Sequence, residues 1–223
     1  ENCSLVGGPM RIKDFHVLTP RRCNVRSPRG WPVRWRRLAR RLHPALSMLL
    51  FRLDLVDHRV GGRWRHVGDP SFDCLLRARL VRAAAMLAAT GRPVVLLTTP
   101  YYDSGEQPSG APWAEDDPAR VRAYNAILRS VASSFPGVVH VVDLNEWVSP
   151  SGAYARTIGG TVVRWVDGVH FTYGGDAFVQ ARILSAVGQL AATTPSPHEL
   201  AALDAAAASG LCGASKPGAP AVG

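Results

Sequence analysis

Two Asp-Pro dipeptides set the frame for this chain. Asp69-Pro70 and Asp117-Pro118 each place a capping acid just ahead of a proline, the order that opens a helix. After the first, Phe72, Leu75, Leu76, Leu80, Ala83, Ala84 and Leu87 keep helical spacing until Gly91. After the second, Val121, Tyr124, Ile127, Leu128 and Val131 do so until Pro136-Gly137. The first helical run is followed by a continuous apolar run, Val-Val-Leu-Leu within residues 93–99, of the kind that forms a strand buried on both faces, and the second by the next apolar strand, 138–144. Residues 45–51 make an earlier apolar run of strand length, and 161–165 a short one after Gly159-Gly160. A last helix opens at Gly175 and continues through Phe178, Ile183, Val187 and Leu190. Strands alternating with amphipathic helices imply parallel βαβ units. The expected fold is α/β, a three-layer α/β/α sandwich with a parallel sheet. A site in such a sheet lies in the loops after the carboxyl ends of the strands.

The 223 residues and 24.0 kDa suit one domain with a tail. Residues 1–30 have no period and carry Gly7, Gly8, Pro9, Pro20 and Pro28, so they read as loop. A short arginine-rich stretch of helical tendency, 35–42, ends at Pro44, and Gly61-Gly62 marks a turn. From Thr193 the composition shifts to Ala, Ser, Pro and Gly, with a weak helical tendency over 198–209. The expected organisation is an irregular arginine-rich segment (1–44), an α/β core (45–192) and a low-complexity, disordered tail (193–223).

Charge is unevenly placed. The net charge is +9, and residues 21–41 hold nine arginines and no acid. Setting those nine aside from the 26 basic residues leaves 17, which the 17 acids match. A general nucleic-acid binder carries a broader basic face. The plainer reading is a solvated basic helix or loop, with Trp31 and Trp35 docking on the core. No apolar run reaches the ~18–20 residues that span a bilayer, and the first residues have no signal-peptide pattern. The four cysteines show no metal-ligand spacing. Cys74, inside a helical pattern, reads as a small core residue.

The sharpest segment runs Val166-Asp167-Gly168-Val169-His170-Phe171-Thr172-Tyr173-Gly174-Gly175-Asp176. Asp167 and His170 stand three apart, between the last strand and the last helix. A tight turn at Gly168 aims both side chains the same way. His170 is then a candidate general base toward a hydroxyl, with Asp167 fixing its tautomer. An Asp-x-x-His is equally compatible with an Asp capping a turn and a His bonded to backbone.

This segment resembles the last block of the SGNH (GDSL-like) hydrolase superfamily, an Asp-x-x-His before the C-terminal helix. Gly61-Gly62-Arg63-Trp64, His66-Val67-Gly68-Asp69-Pro70-Ser71-Phe72-Asp73, Thr98-Thr99-Pro100-Tyr101-Tyr102, Gly105-Glu106-Gln107-Pro108, Asp116-Asp117-Pro118-Ala119-Arg120, Asn125 and Asp143-Leu144-Asn145 resemble one branch of it. That branch comprises the SGNH domains attached to bacterial acyltransferase-3 type membrane proteins. The likeness covers residues 45–190, with the blocks in family order.

The resemblance implies a flavodoxin-like SGNH fold and an ester hydrolase or O-acyltransferase acting on acyl esters of a glycan or cell-envelope substrate. It implies His170 as base and acid, Asp167 as its orienting partner, and no cofactor or metal. It also implies an extracytoplasmic setting, membrane-attached in the parent protein, with a membrane acyltransferase domain as a partner. In such a setting Cys3 and Cys23, both in the irregular N-terminal part, are expected to pair.

The chain departs from the family where the nucleophile belongs. The superfamily's Ser lies in a Gly-Asp-Ser block ending the first strand, and these 223 residues contain no such block. Gly68-Asp69-Pro70-Ser71 is a lookalike with Ser71 in the wrong place, on the first turn of a helix. Asn2 stands where an oxyanion-hole Gly is expected. Phe51-Arg52-Leu53-Asp54 replaces the branch's Gly-Arg-Trp-Glu. The chain therefore reads as an SGNH domain cut upstream of Glu1, without its first strand and serine, and inactive as it stands. Two other readings remain open, a non-catalytic remnant or binding domain and, ranked last, nucleic-acid binding through the arginine block.

Overall fold

The computed structural model describes residues 54–210 apart from Pro108, and upstream of them only the backbone of four short strands. These are β1 (Cys3–Ser4), β2 (Met10–Ile12), β3 (Phe15–Leu18) and β4 (Arg21–Arg22). They are followed by β5 (Asp57–Val60), β6 (Arg63–Arg65), α1 (Pro70–Ala88), β7 (Val94–Leu97), α2 (Pro118–Ser134), β8 (Val139–Val142), α3 (Leu144–Val148), β9 (Thr157–Ile158), β10 (Thr161–Val162), α4 (Tyr173–Ala191) and α5 (Pro197–Ser209). The molecule is mixed α/β.

At its centre β7 and β8 run parallel, with Val94 opposite Val139 and Leu97 opposite Val142. Bonds from Val94 N to Val138 O and from Thr98 N to Val142 O extend the pair at both ends. The helix α2 is the crossover between them, as a parallel connection requires. Asp117 caps it by accepting from Ala119 N at 2.8 Å. The helices α1 and α2 pack against each other, α1 on β7 and α2 on β8. Phe72, Leu76, Leu80, Val121, Tyr124, Leu128, Val131 and Val139 form the main core between them. A smaller cluster of Leu144, Val148 and Val179 joins α3 to α4.

Several elements differ from the sequence expectation. The N-terminal part, read as loop, supplies strands. β2 pairs antiparallel with β3 and β5, and β5 with β6 through the Gly61-Gly62 turn, giving a sheet ordered β3-β2-β5-β6. The β2–β5 pairing carries little local signal because the two strands lie far apart along the chain. The 138–144 run stops early: Asp143 accepts from Glu146 N and opens α3. Asp69 precedes α1, but its carboxylate accepts from His66 N rather than from the helix, and Asp73 reaches back to Gly68 N. The run at 45–51, the arginine-rich stretch 35–42 and Cys23 lie outside the described residues.

The segment expected to begin a tail instead forms α5. Ser196 and Glu199 make a reciprocal capping box at its start. The helix packs on α1 and buries Leu203 completely. Cys74, read as a small core residue, is disulfide-bonded.

Candidate active site

The end of β7 is tied down by a polar network. Thr98 Oγ1 donates to Asp143 Oδ1 at 2.9 Å and accepts from Asn145 N at 2.8 Å. Asn125, buried on α2, takes both polar atoms of the Thr99 backbone, accepting from its N–H and donating to its carbonyl at 2.8 Å each. Asn145 Nδ2 donates to the same carbonyl. Burial would raise the Asp143 carboxyl, but bonds from Arg129, Thr98 and the Glu146 amide hold it below its ordinary value. Further along, Asp116 accepts from both the amide and the hydroxyl of Ser104. The loop leaving β7 is therefore fixed on both sides of Asp103, at Thr98 and Thr99 before it and at Ser104 after it.

Asp103 meets the segment singled out in the sequence. Residues 164–171 form a small hairpin closed by a bridge between Arg164 and Phe171. Trp165 N donates to His170 O at 2.9 Å, and Gly168 N to Trp165 O at 3.1 Å. Gly168 sits at φ +66°, a conformation open to glycine. A Cβ on it would lie 1.7 Å from Asp103 O. At the foot of the hairpin Thr172, rather than Gly175, caps α4 by accepting from Gly175 N.

Asp167 and His170 stand together at the tip. Asp167 Oδ2 and His170 Nδ1 are 2.7 Å apart, while Oδ1 accepts from the amides of Val169 and His170 at 2.9 and 3.0 Å. A carboxylate only accepts, so the neutral His170 ring carries its proton on Nδ1 and has its lone pair on Nε2. The His170 ring, first, and the two amides hold the Asp167 carboxyl down at about 2. The His170 side chain is 64% exposed, and Nε2 has no protein partner among the described residues. Exposed Trp165, Val166 and Tyr173 flank it in sequence. This arrangement can take a proton from a hydroxyl and return it to a leaving group.

No described serine bonds to His170. Ser71 is exposed on the first turn of α1. Asn2 and Phe51–Leu53 lie outside the described residues, as do most of residues 21–41. The next residue, Asp54, is fully buried. Among the described residues no group of three or more His, Cys, Asp or Glu is placed to hold a metal.

Sequence reasoning passed over two contributors. Asp103 lies within a loop that the resemblance marks only around it. Arg164 was read as one residue of a short strand, although a single charge inside Val162-Val163-Arg164-Trp165-Val166 is a signal that it has a buried task.

The sequence matches no family model and no curated protein.

Proposed function

We propose that this chain is the His–Asp part of an SGNH-type ester hydrolase or O-acyltransferase domain acting on acyl esters of a glycan or cell-envelope substrate. The observation that carries the reading is the exposed His170, held by Asp167 at 2.7 Å with Nε2 free, in the loop preceding the last helix. His170 acts as general base toward a serine hydroxyl and then as general acid toward the departing oxygen. Asp167 keeps the proton on Nδ1 and stabilises the imidazolium that forms. The parallel pair β7–β8, with its helical crossover, is the part of a three-layer α/β/α sandwich that this reading needs. A disulfide at Cys74 supports an oxidising, extracytoplasmic setting.

The nucleophile is the open member. No described serine stands at His170, and the chain has no Gly-Asp-Ser block. That favours, for the chain by itself, the second reading of a non-catalytic remnant or binding domain. The experiment separating the two begins with the reading frame upstream of the Glu1 codon. The hydrolase reading expects a Gly-Asp-Ser after an apolar strand. It also expects that protein to release acetate from a small acetyl ester, with at least ~100-fold loss in His170→Ala. An upstream frame without the block, and no ester hydrolysis, leaves the remnant reading.

A further inference from the structure

Arg164 is the largest fully buried side chain among the described residues, at 1% exposure. Its Nη1 donates to Val169 O at 2.8 Å, and its Cζ lies 4.0 Å from the centroid of the Phe171 ring. Its Nε and Nη2 are buried without a partner, and no carboxylate forms an ion pair with it, among the described residues. A guanidinium in such a place is expensive, and an apolar residue of similar volume is often as stable or more so. Fold stability is therefore a poor reason for an arginine here.

The backbone of the hairpin gives a better one. From Gly168 to His170 every polar main-chain atom is engaged. The amide of Gly168 donates to Trp165 O, and those of Val169 and His170 to Asp167 Oδ1. The carbonyl of Gly168 accepts from Asp103 N, and that of His170 from Trp165 N. The remaining carbonyl, at Val169, accepts from Arg164. A main chain satisfied at all six atoms has one arrangement available to it. Without Arg164, the Val169 carbonyl turns to water and the peptide between the two reacting side chains gains freedom.

We propose that Arg164 is the positioning residue of the Asp167–His170 pair, holding the peptide that joins them so that the His170 ring meets Asp167 through Nδ1. The inference deepens the reading above and rests on it for its purpose. Its geometry does not depend on turnover. Arg164 acts through Val169 and Phe171 and reaches no substrate.

The test is nuclear magnetic resonance of the His170 ring in the 223-residue protein, comparing wild type, Arg164→Met and Arg164→Lys. The wild type is expected to show a downfield Nδ1–H protected from solvent and a single tautomer by nitrogen shifts. Arg164→Met is expected to keep or raise the unfolding temperature, speed Nδ1–H exchange about tenfold or more, and mix the tautomers. Arg164→Lys restores a donor to Val169 O and is expected to fall between the two. A wild-type Nδ1–H signal and tautomer in Arg164→Met overturns the inference. If Arg164→Met does not fold, Arg164→Leu, which likewise has no donor, decides, and wild-type Nδ1–H exchange in it overturns the inference. Loss of the Nδ1–H signal on substitution, in a protein that hydrolyses no ester, upholds the positioning and sinks the hydrolase reading alone.

Discussion

The amide of Asp103 donates to the carbonyl of Gly168 at 3.3 Å, and a Cβ on Gly168 would fall almost onto the carbonyl oxygen of Asp103. Two loops distant in sequence thus touch backbone to backbone, one leaving β7 and the other carrying Asp167 and His170. Gly168→Ala has to relieve both a positive φ and this overlap. The expected cost is on the order of 1–3 kcal/mol or more, with the hairpin displaced from Asp103. Thermal unfolding together with the His170 Nδ1–H resonance reads both effects. A wild-type midpoint with an unchanged resonance would show that the approach is looser than described.

The Asp167–His170 bond has a direction in pH. The Asp167 carboxyl is lowered from its ordinary 3.8 to about 2 by the His170 ring and two amides. A group lowered by folding contributes fully above its unfolded value and loses that contribution as pH falls through the folded one. The bond should therefore be intact above about pH 4 and be lost between 4 and 2. Because both side chains are well exposed, the effect on global stability is small. Following the Asp167 carboxyl carbon shift against pH checks this, and a midpoint at or above the ordinary value contradicts it.

Asn125 satisfies the Thr99 amide and one lone pair of the Thr99 carbonyl from within the core. Asn125→Ala strands the amide, while Asn145 still reaches the carbonyl. A loss of about 2–4 kcal/mol is expected, with Asn125→Asp little better because, although it can accept from the amide, its second carboxyl oxygen is buried against the Thr99 carbonyl oxygen. Urea unfolding measures it, and a change under about 0.5 kcal/mol would mean that water replaces the side chain.

Leu203 on α5 is wholly buried against the core. Leu203→Ala should cost about 2–5 kcal/mol, a value foreign to a tail residue. An unfolding midpoint within error of wild type would return residues 197–209 to the status of an appendage.

Cys74 is held in a disulfide whose partner is one of Cys3, Cys23 and Cys212. Cys74→Ser is expected to lower stability by about 2–4 kcal/mol, and reduction of the wild type to lower its unfolding temperature. Peptide mapping without reductant identifies the partner, and a reductant-insensitive midpoint after complete reduction would remove the stabilising role.

The parts of the fold that could be read in advance are those written locally. Asp117-Pro118 begins α2 as its residue types demand, and the runs around Val94 and Val139 pair in parallel. The Asp167-Gly168-x-His170 spacing brings its two side chains together because glycine permits the turn between them. The parts that were not legible depend on distant partners. The β2–β3 hairpin joins β5 across a long stretch of chain, and Cys74 is in a disulfide that its helical surroundings do not announce. The capping box Ser196-Pro197-His198-Glu199 was present to be read, but the alanine-rich stretch behind it hid Leu203. The buried bond from Arg164 to Val169 O becomes visible only in the folded hairpin.

The crossover β7–α2–β8 also sets an order of events. Its strands are joined by one helix, and Thr98, Asn125, Asp143 and Asn145 all lie within it or at its edge. These contacts close shorter loops than the one that joins Asp103 to Gly168, and shorter closures tend to form earlier. This floor at the end of β7 is thus expected to assemble with the first cooperative unit, and the hairpin to dock last and open first. Native-state hydrogen exchange should find the Asp103 amide exchanging through a local opening, and the amides of Val94 and Thr98, which donate to β8, only through global unfolding. Equal protection at all three would show that hairpin and floor form as one.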